Sequence, residues 1–231
     1  MWRWILILGL VVGPLACEST SPEAPLVIVI DPGHPSETSQ GATGPTGATE
    51  IETGWAVAQQ LRPLLEADGH EVVFTKLVID EVVTNRHRAE IGNHHNAAVI
   101  IRLHGDAVAA RGTATFYPDR QGTRFGVTGP SQDVIDGSRA FVDVFHPAMI
   151  AALGPDWSDR GIRGDSQTSV GSQQGALTGS IFSEVPVVTI EMAVITDPDD
   201  EAFIASAAGQ AKMAAAIAAG VRAVFGGPGT G

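Results

Sequence analysis

Three apolar runs each deliver a residue that can bind a metal or move a proton. Leu26-Val27-Ile28-Val29-Ile30 leads into Asp31-Pro32-Gly33-His34, Ala98-Val99-Ile100-Ile101-Arg102-Leu103 leads into His104, and Val185-Pro186-Val187-Val188-Thr189-Ile190 carries Glu191. A carboxylate at the end of an apolar strand is expensive to bury without a partner, so Glu191 points to a site. Catalytic zinc centres take three ligands from His, Asp and Glu and leave a fourth position for water. His34 and His104 supply two. The third is expected from Glu37, Glu50 or Glu52. Glu50 is best placed, because a helix N-terminus is a fixed point whereas Glu37 lies in a loop. Glu52, two residues on, points about 200° away on a helix, so at most one of Glu50 and Glu52 faces the metal. Glu191 then remains to take a proton from the attacking water, whose pKa a metal lowers toward about 7, and to pass it to the leaving amine.

These residues need strands to carry them. Short β-type runs alternate with longer helical periods, as in βα units. Strands are predicted at Leu26 to Asp31, Glu71 to Thr75, Ala98 to Leu103, Thr113 to Tyr117 and Val187 to Met192. Their Val/Ile content suits a mostly parallel sheet buried on both faces. Helices are predicted from Glu50 to Asp68, with a kink or break at Pro63, and at Val83 to Asn93, Gln132 to Leu153 and Pro198 to Val224. The stretches Pro35 to Thr49 and Gly154 to Gly179 read as loops flanking the same strand ends. The expected fold class is α/β: a single three-layer αβα domain over residues 26–226, with the metal site at the C-terminal ends of the strands and a flexible tail at 227–231. Ligands bind at that edge in open α/β sheets.

The 231 residues are 44% hydrophobic and 17% charged, a globular composition. The net charge of −12 argues against a nucleic-acid partner, which needs clustered Lys and Arg. Residues 1–17 have the layout of a secretory signal: Arg3, an apolar core from Ile5 to Val12, then Gly13-Pro14-Leu15-Ala16-Cys17. That core is too short for a stable membrane span. Cys17 is the only cysteine, and its position resembles that of the lipidated cysteine of bacterial lipoprotein signals, with Pro14 a departure from their usual pattern. The expectation is an exported protein, held to the cell-envelope membrane by a lipid on Cys17 and a polar tether at 18–25.

Five segments in order resemble one family. They are Val29-Ile30-Asp31-Pro32-Gly33-His34, Thr49-Glu50, Arg88-Ala89-Glu90-Ile91-Gly92-Asn93, Ile101-Arg102-Leu103-His104 and Pro186-Val187-Val188-Thr189-Ile190-Glu191-Met192. The chain resembles the zinc-dependent N-acetylmuramoyl-L-alanine amidases of the type 3 amidase family, which cut peptidoglycan between the lactyl group of muramic acid and the first L-alanine of the stem peptide. The resemblance implies one zinc ion on His34, Glu50 and His104, Glu191 as the catalytic carboxylate, and peptidoglycan as partner. Pro35-Ser36 after the first histidine, Gly105-Asp106 after the second and Met192-Ala193-Val194 after Glu191 depart from the family pattern, which touches pocket shape and not the ligand set. A monomer is expected, and an activating partner protein is left open. The competing readings are a zinc carboxypeptidase-like hydrolase and a wall-binding lipoprotein without catalysis.

Arg102 and Arg163 are candidates to hold an anionic substrate group. Arg88 is expected to tie its helix to the sheet by an ion pair. Asp31 is read equally as a hydrogen-bond partner of a ligand histidine or as a turn former. His94 and His95 are read as a solvated helix cap. His70, His87 and His146 are read as exposed or satisfied in the core.

Overall fold

A computed structural model of the chain describes residues 25–227; the signal at 1–17, Cys17, nearly all of the tether and most of the tail lie outside them. The strands are β1 (Val27–Pro32), β2 (Glu71–Phe74), β3 (Val99–Asp106), β4 (Thr113–Tyr117), β5 (Gly122–Arg124), β6 (Val127–Gly129), β7 (Asp159–Gly164) and β8 (Val187–Val194). The helices are α1 (Glu50–Ala67), α2 (Asn85–His94), α3 (Gln132–Leu153), α4 (Gly171–Gln174), α5 (Thr178–Ile181), α6 (Pro198–Ala205) and α7 (Ala207–Phe225).

Six strands form one sheet in the order β2-β1-β3-β8-β4-β7, and β5 and β6 form a separate hairpin. The pairs β1–β2, β1–β3, β3–β8 and β4–β7 are parallel, while β4 runs antiparallel to β8. The fold is therefore the expected α/β arrangement with a mostly parallel sheet.

The pleat sorts the strand residues onto two faces. Ile28, Ile30, Val99, Ile101, Leu103, Val188, Ile190 and Met192 point into a large core shared with Leu61 and Leu65 of α1, Phe141 and Phe145 of α3, and Met213 and Ile217 of α7. Val29, Ile100 and Val187 point to the opposite, thinner core. There α2 approaches so closely that a Cβ on Gly92 would stand 2.3 Å from Ile100 Cδ1. By the same alternation Asp31, Arg102, His104, Thr189 and Glu191 fall on that thinner face. The apolar face holds the sheet, and the other carries the chemistry.

The structure corrects four expectations. The helix α1 runs unbroken through Pro63. Pro63 and Gln59, whose carbonyl it deprives of a partner, are both exposed, and buried Leu61 and Leu65 carry the helix through. The single helix predicted from Pro198 to Val224 is two, bent by 85° at Ser206. Ser206 caps α7 by accepting from Gly209 N at 3.0 Å, as a helix-starting serine does. The Gly154 to Gly179 stretch is not a loop: it holds β7, a 3-10 turn at Asp165–Gln167, α4 and the start of α5. Finally, β3 continues past its apolar run to Asp106, so His104 sits inside a paired strand, as Glu191 does within the strand expected for it.

Candidate active site

His34 stands two residues beyond β1 with φ +51, a left-handed backbone uncommon outside glycine. Its surroundings hold it there. The Lys76 ammonium donates to the His34 carbonyl at 2.6 Å and to the Ile79 carbonyl at 2.8 Å. His34 Nδ1 donates to the Ser39 carbonyl at 3.2 Å, which leaves Nε2 as the lone-pair nitrogen. Lys76 is itself buried, and burial followed by the nearby Arg88 charge brings its pKa down to about 8.

Glu50 is the first residue of α1. Thr49 caps the helix and forms a capping box with Glu52, so Glu52 faces its own helix end and not the site. Glu37 accepts from Asn85 N at 2.9 Å at the start of α2. Of the three carboxylates weighed, Glu50, the one expected, reaches both imidazoles: its Oε1 lies 2.8 Å from His104 Nδ1 and 3.3 Å from His34 Nε2. Gly105 N donates to Oε1 at 3.1 Å and Ala42 N to Oε2 at 2.9 Å. Burial is the largest influence on the Glu50 carboxyl and pushes it up, but the hydrogen bonds and charges of His104 and His34 outweigh it and hold it well below the usual carboxylate range.

His34, Glu50 and His104 each offer a ligand atom, all within 4.8 Å of one another. Two imidazoles and one carboxylate are a donor set that suits zinc. The second ring nitrogen of His104, Nε2, is buried without a partner among the described residues. Close backbone approach builds the cradle: a Cβ on Gly33 would stand 2.6 Å from His104 Cε1, and one on Gly41 would stand 3.0 Å from Glu50 Oε2. The residues present fit a zinc ion.

Glu191 pairs in register with His104 across β3 and β8. Its Oε2 is buried and has no partner among the described residues. Burial first, then the charges of Glu50 and Asp106, raise its carboxyl well above the ordinary value, against the pull of Arg160 and Arg102. A strand-borne carboxyl set beside a candidate metal cluster and lining a cleft of about 650 Å³ is placed to exchange protons with whatever enters.

Asp31 touches neither histidine. One of its carboxylate oxygens accepts from Arg88 and Thr75, and the other accepts from Arg102 Nε at 2.9 Å. Burial opposes its ionisation, and the two arginines overcome this and keep it far down the carboxylate range. Arg88 also donates to the carbonyls of Pro32, Pro35 and Val83, which fastens the turn bearing His34 to α2. The ion pair expected for Arg88 is present. Arg102 gives a second bond to Asn85 Oδ1 at 2.8 Å and still lines the cleft, as does Arg163. His146 is buried and satisfied by Thr115 and Asp159, and His95 is the C-cap of α2.

Three residues of the site region escaped sequence reasoning. Glu201 is buried and receives the N–H groups of Thr46 and Ala48, fixing the loop before Glu50. Its only signal was an acidic helix start after Asp197-Pro198. Lys76 carried the mild signal of a lone lysine after a strand. Arg160, paired with Asp106, carried none.

A family model described as N-acetylmuramoyl-L-alanine amidase matches residues 28–223. The chain is 26% identical to N-acetylmuramoyl-L-alanine amidase AmiA of Escherichia coli over 86% of this chain and 76% of that one. Among solved structures, the N-acetylmuramyl-L-alanine amidase Ami1 of Mycobacterium smegmatis superposes with a TM-score of 0.73 at 20% identity, covering 88% of this chain and 98% of the other. The CwlD amidase of Clostridioides difficile, solved in complex with the GerS lipoprotein, superposes with a TM-score of 0.65 at 19% identity, covering 85% and 96%.

Proposed function

Because the chain belongs to the N-acetylmuramoyl-L-alanine amidase family, we propose that it hydrolyses peptidoglycan at the amide bond between the lactyl group of N-acetylmuramic acid and the first L-alanine of the stem peptide. The observation that carries this reading is Glu191 in register with His104 on the wall of one cleft, beside His34 and Glu50. His34, Glu50 and His104 would hold one zinc ion, which would supply Lewis-acid polarisation of the scissile carbonyl and lower the pKa of water.

The chain's own residues do the rest. Glu191 receives the proton of the attacking water on its carboxylate and returns it to the leaving amine of alanine, which departs as a neutral amine. Its apolar strand favours the protonated form once that proton has arrived. The Ser39 carbonyl, by accepting a hydrogen bond from His34 Nδ1–H, keeps Nε2 free to ligate. Arg102 and Arg163 on the cleft wall meet anionic groups of the substrate.

The protein works outside the cytoplasm, anchored through a lipid on Cys17, as its leader implies. Fatty-acid labelling of the wild type, lost in Cys17→Ala, checks the anchor.

Purified protein should release stem peptides from muropeptides, stop on chelation and resume with zinc. Glu191→Gln should bind zinc normally and lose at least about 1,000-fold in kcat, within the range for loss of an acid/base group. Product masses separate this reading from a carboxypeptidase, which shortens the peptide at its free end. Full activity in Glu191→Gln, or sacculus binding with no turnover by the wild type, would sink it.

A further inference from the structure

The wall of the cleft formed by β7 and the end of β3 carries a guanidinium with unused donors. Arg160 Nη2 donates to Asp106 Oδ2 at 2.5 Å, and the Arg160 side chain is only 8% exposed. Its Nε and Nη1 are buried and meet no acceptor among the described residues, and the residue lines the same cleft as Glu191. Arginine stays charged and offers five N–H donors in a fixed plane. Leaving buried charged donors unmade is costly, so a purely structural arginine would be saturated, as Arg88 is by Asp31 and three carbonyls. Arg160 is fixed on one side only. Asp106 is itself held, since its Oδ1 accepts from Ala107 N at 2.9 Å. The Arg160 carbonyl accepts from Arg163 Nε at 3.1 Å, so both arginines belong to one rigid wall. The guanidinium is thus set in place before any ligand arrives, which lowers the entropy lost on binding.

Resting on the amidase reading, we propose that Arg160 is a specificity-determining residue that binds a free carboxylate on the leaving peptide, and that the enzyme therefore prefers stem peptides whose second residue keeps its α-carboxylate over those in which it is an amide. An amide presents one neutral carbonyl to these donors where a carboxylate presents two charged oxygens, and charge-assisted bonds are about twice as strong.

The test uses two synthetic muramoyl peptides that differ only in carboxylate or carboxamide at the second residue. The zinc-loaded wild type is expected to favour the carboxylate by at least 10-fold in kcat/KM, with the difference in KM. In Arg160→Gln the ratio should fall to about 1. Arg160→Lys keeps a charge for Asp106 but loses the planar donors, so it should fold as the wild type and retain an intermediate ratio. A binding arm measures the two peptides on Glu191→Gln protein by calorimetry, where the same preference should appear without turnover and vanish when Arg160→Gln is added. A wild type that treats both peptides alike, or a ratio that survives in Arg160→Gln, overturns the proposal. If neither peptide is cut by the wild type, the amidase reading fails on its own, and the binding arm still decides the role of Arg160.

Discussion

Glu201 accepts the backbone N–H of Thr46 at 3.0 Å on both carboxylate oxygens, across 155 residues of chain. The same carboxylate takes Ala48 N at 3.1 Å, and a Cβ on Gly44 would collide with it. The start of α6 thereby fixes the loop that delivers Glu50. The hydrogen bonds from Thr46 and Ala48 hold the Glu201 carboxyl below its ordinary value although burial alone, the largest influence, would raise it.

Glu201→Ala should free that loop and weaken zinc binding by about 10- to 100-fold, as loss of groups that orient ligands does. Metal titration monitored by competition with a chelating dye reads this directly. An unchanged zinc affinity would mean that α1 positions Glu50 without help.

The cluster of His34, Glu50 and His104 predicts one zinc per chain in the wild type. Single alanine substitutions at these positions should each reduce the bound metal to a small fraction, measured by elemental analysis after dialysis. Chelation should lower the melting temperature and zinc restore it, because a ligand that binds only the folded state stabilises it by about 4 kcal/mol at 1,000 times its Kd. A His34→Ala protein that keeps stoichiometric zinc would remove His34 from the ligand set.

Asp31 neutralises two buried arginines, Arg88 and Arg102. Asp31→Ala leaves both without a counter-charge and should cost about 3–5 kcal/mol in urea denaturation. The wild type should also lose stability in acid. The folded-state pKa of Asp31 lies below its unfolded value, so its contribution is present above the unfolded value near about 4 and is lost as pH falls toward the folded one. The Ala variant should lack this part of the acid dependence.

Asp165 behaves in the opposite sense. Burial pushes its carboxyl up to about 6, against the hydrogen bonds of Ser180 and Leu177 N. A raised value favours the folded state most at pH below the unfolded value and loses that advantage as pH rises through about 6. The wild type should therefore lose on the order of 3 kcal/mol between about pH 4 and 7 through this group, because each tenfold difference in proton affinity between the folded and unfolded chain is worth about 1.4 kcal/mol. Asp165→Asn retains an acceptor for Leu177 N and has no charge to bury, so its stability should be flatter over that interval. Parallel pH profiles for the two proteins would show that Asp165 does not titrate there.

Much of the sheet was legible because strand residues announce themselves locally. Val27 to Ile30 and Val99 to Ile101 are apolar on both faces, as buried parallel strands must be, and Thr113 to Tyr117 and Gln132 to Leu153 match the elements observed. What escaped was held by distant partners. The strand β7, Asp-Arg-Gly-Ile-Arg-Gly, has little apolar content and exists because β4 offers it an edge to pair with. Pro63 reads as a breaker, yet packing of Leu61 and Leu65 overrides it. The turn at Ser206 was visible only as a weak cap inside an alanine-rich run.

By itself the sequence determined which groups exist for chemistry and which strands and helix carry them. His34, Glu50, His104 and Glu191 each sit beside a strong local signal, because strand patterning and helix caps depend on neighbours a few residues away. Only the tertiary structure tied Asp31 to Arg88 and Arg102 and not to a ligand histidine, and set Arg160 against Asp106. Those outcomes depend on where separate elements cross, and the hydrogen bonds and charges that meet there leave no trace in local spacing.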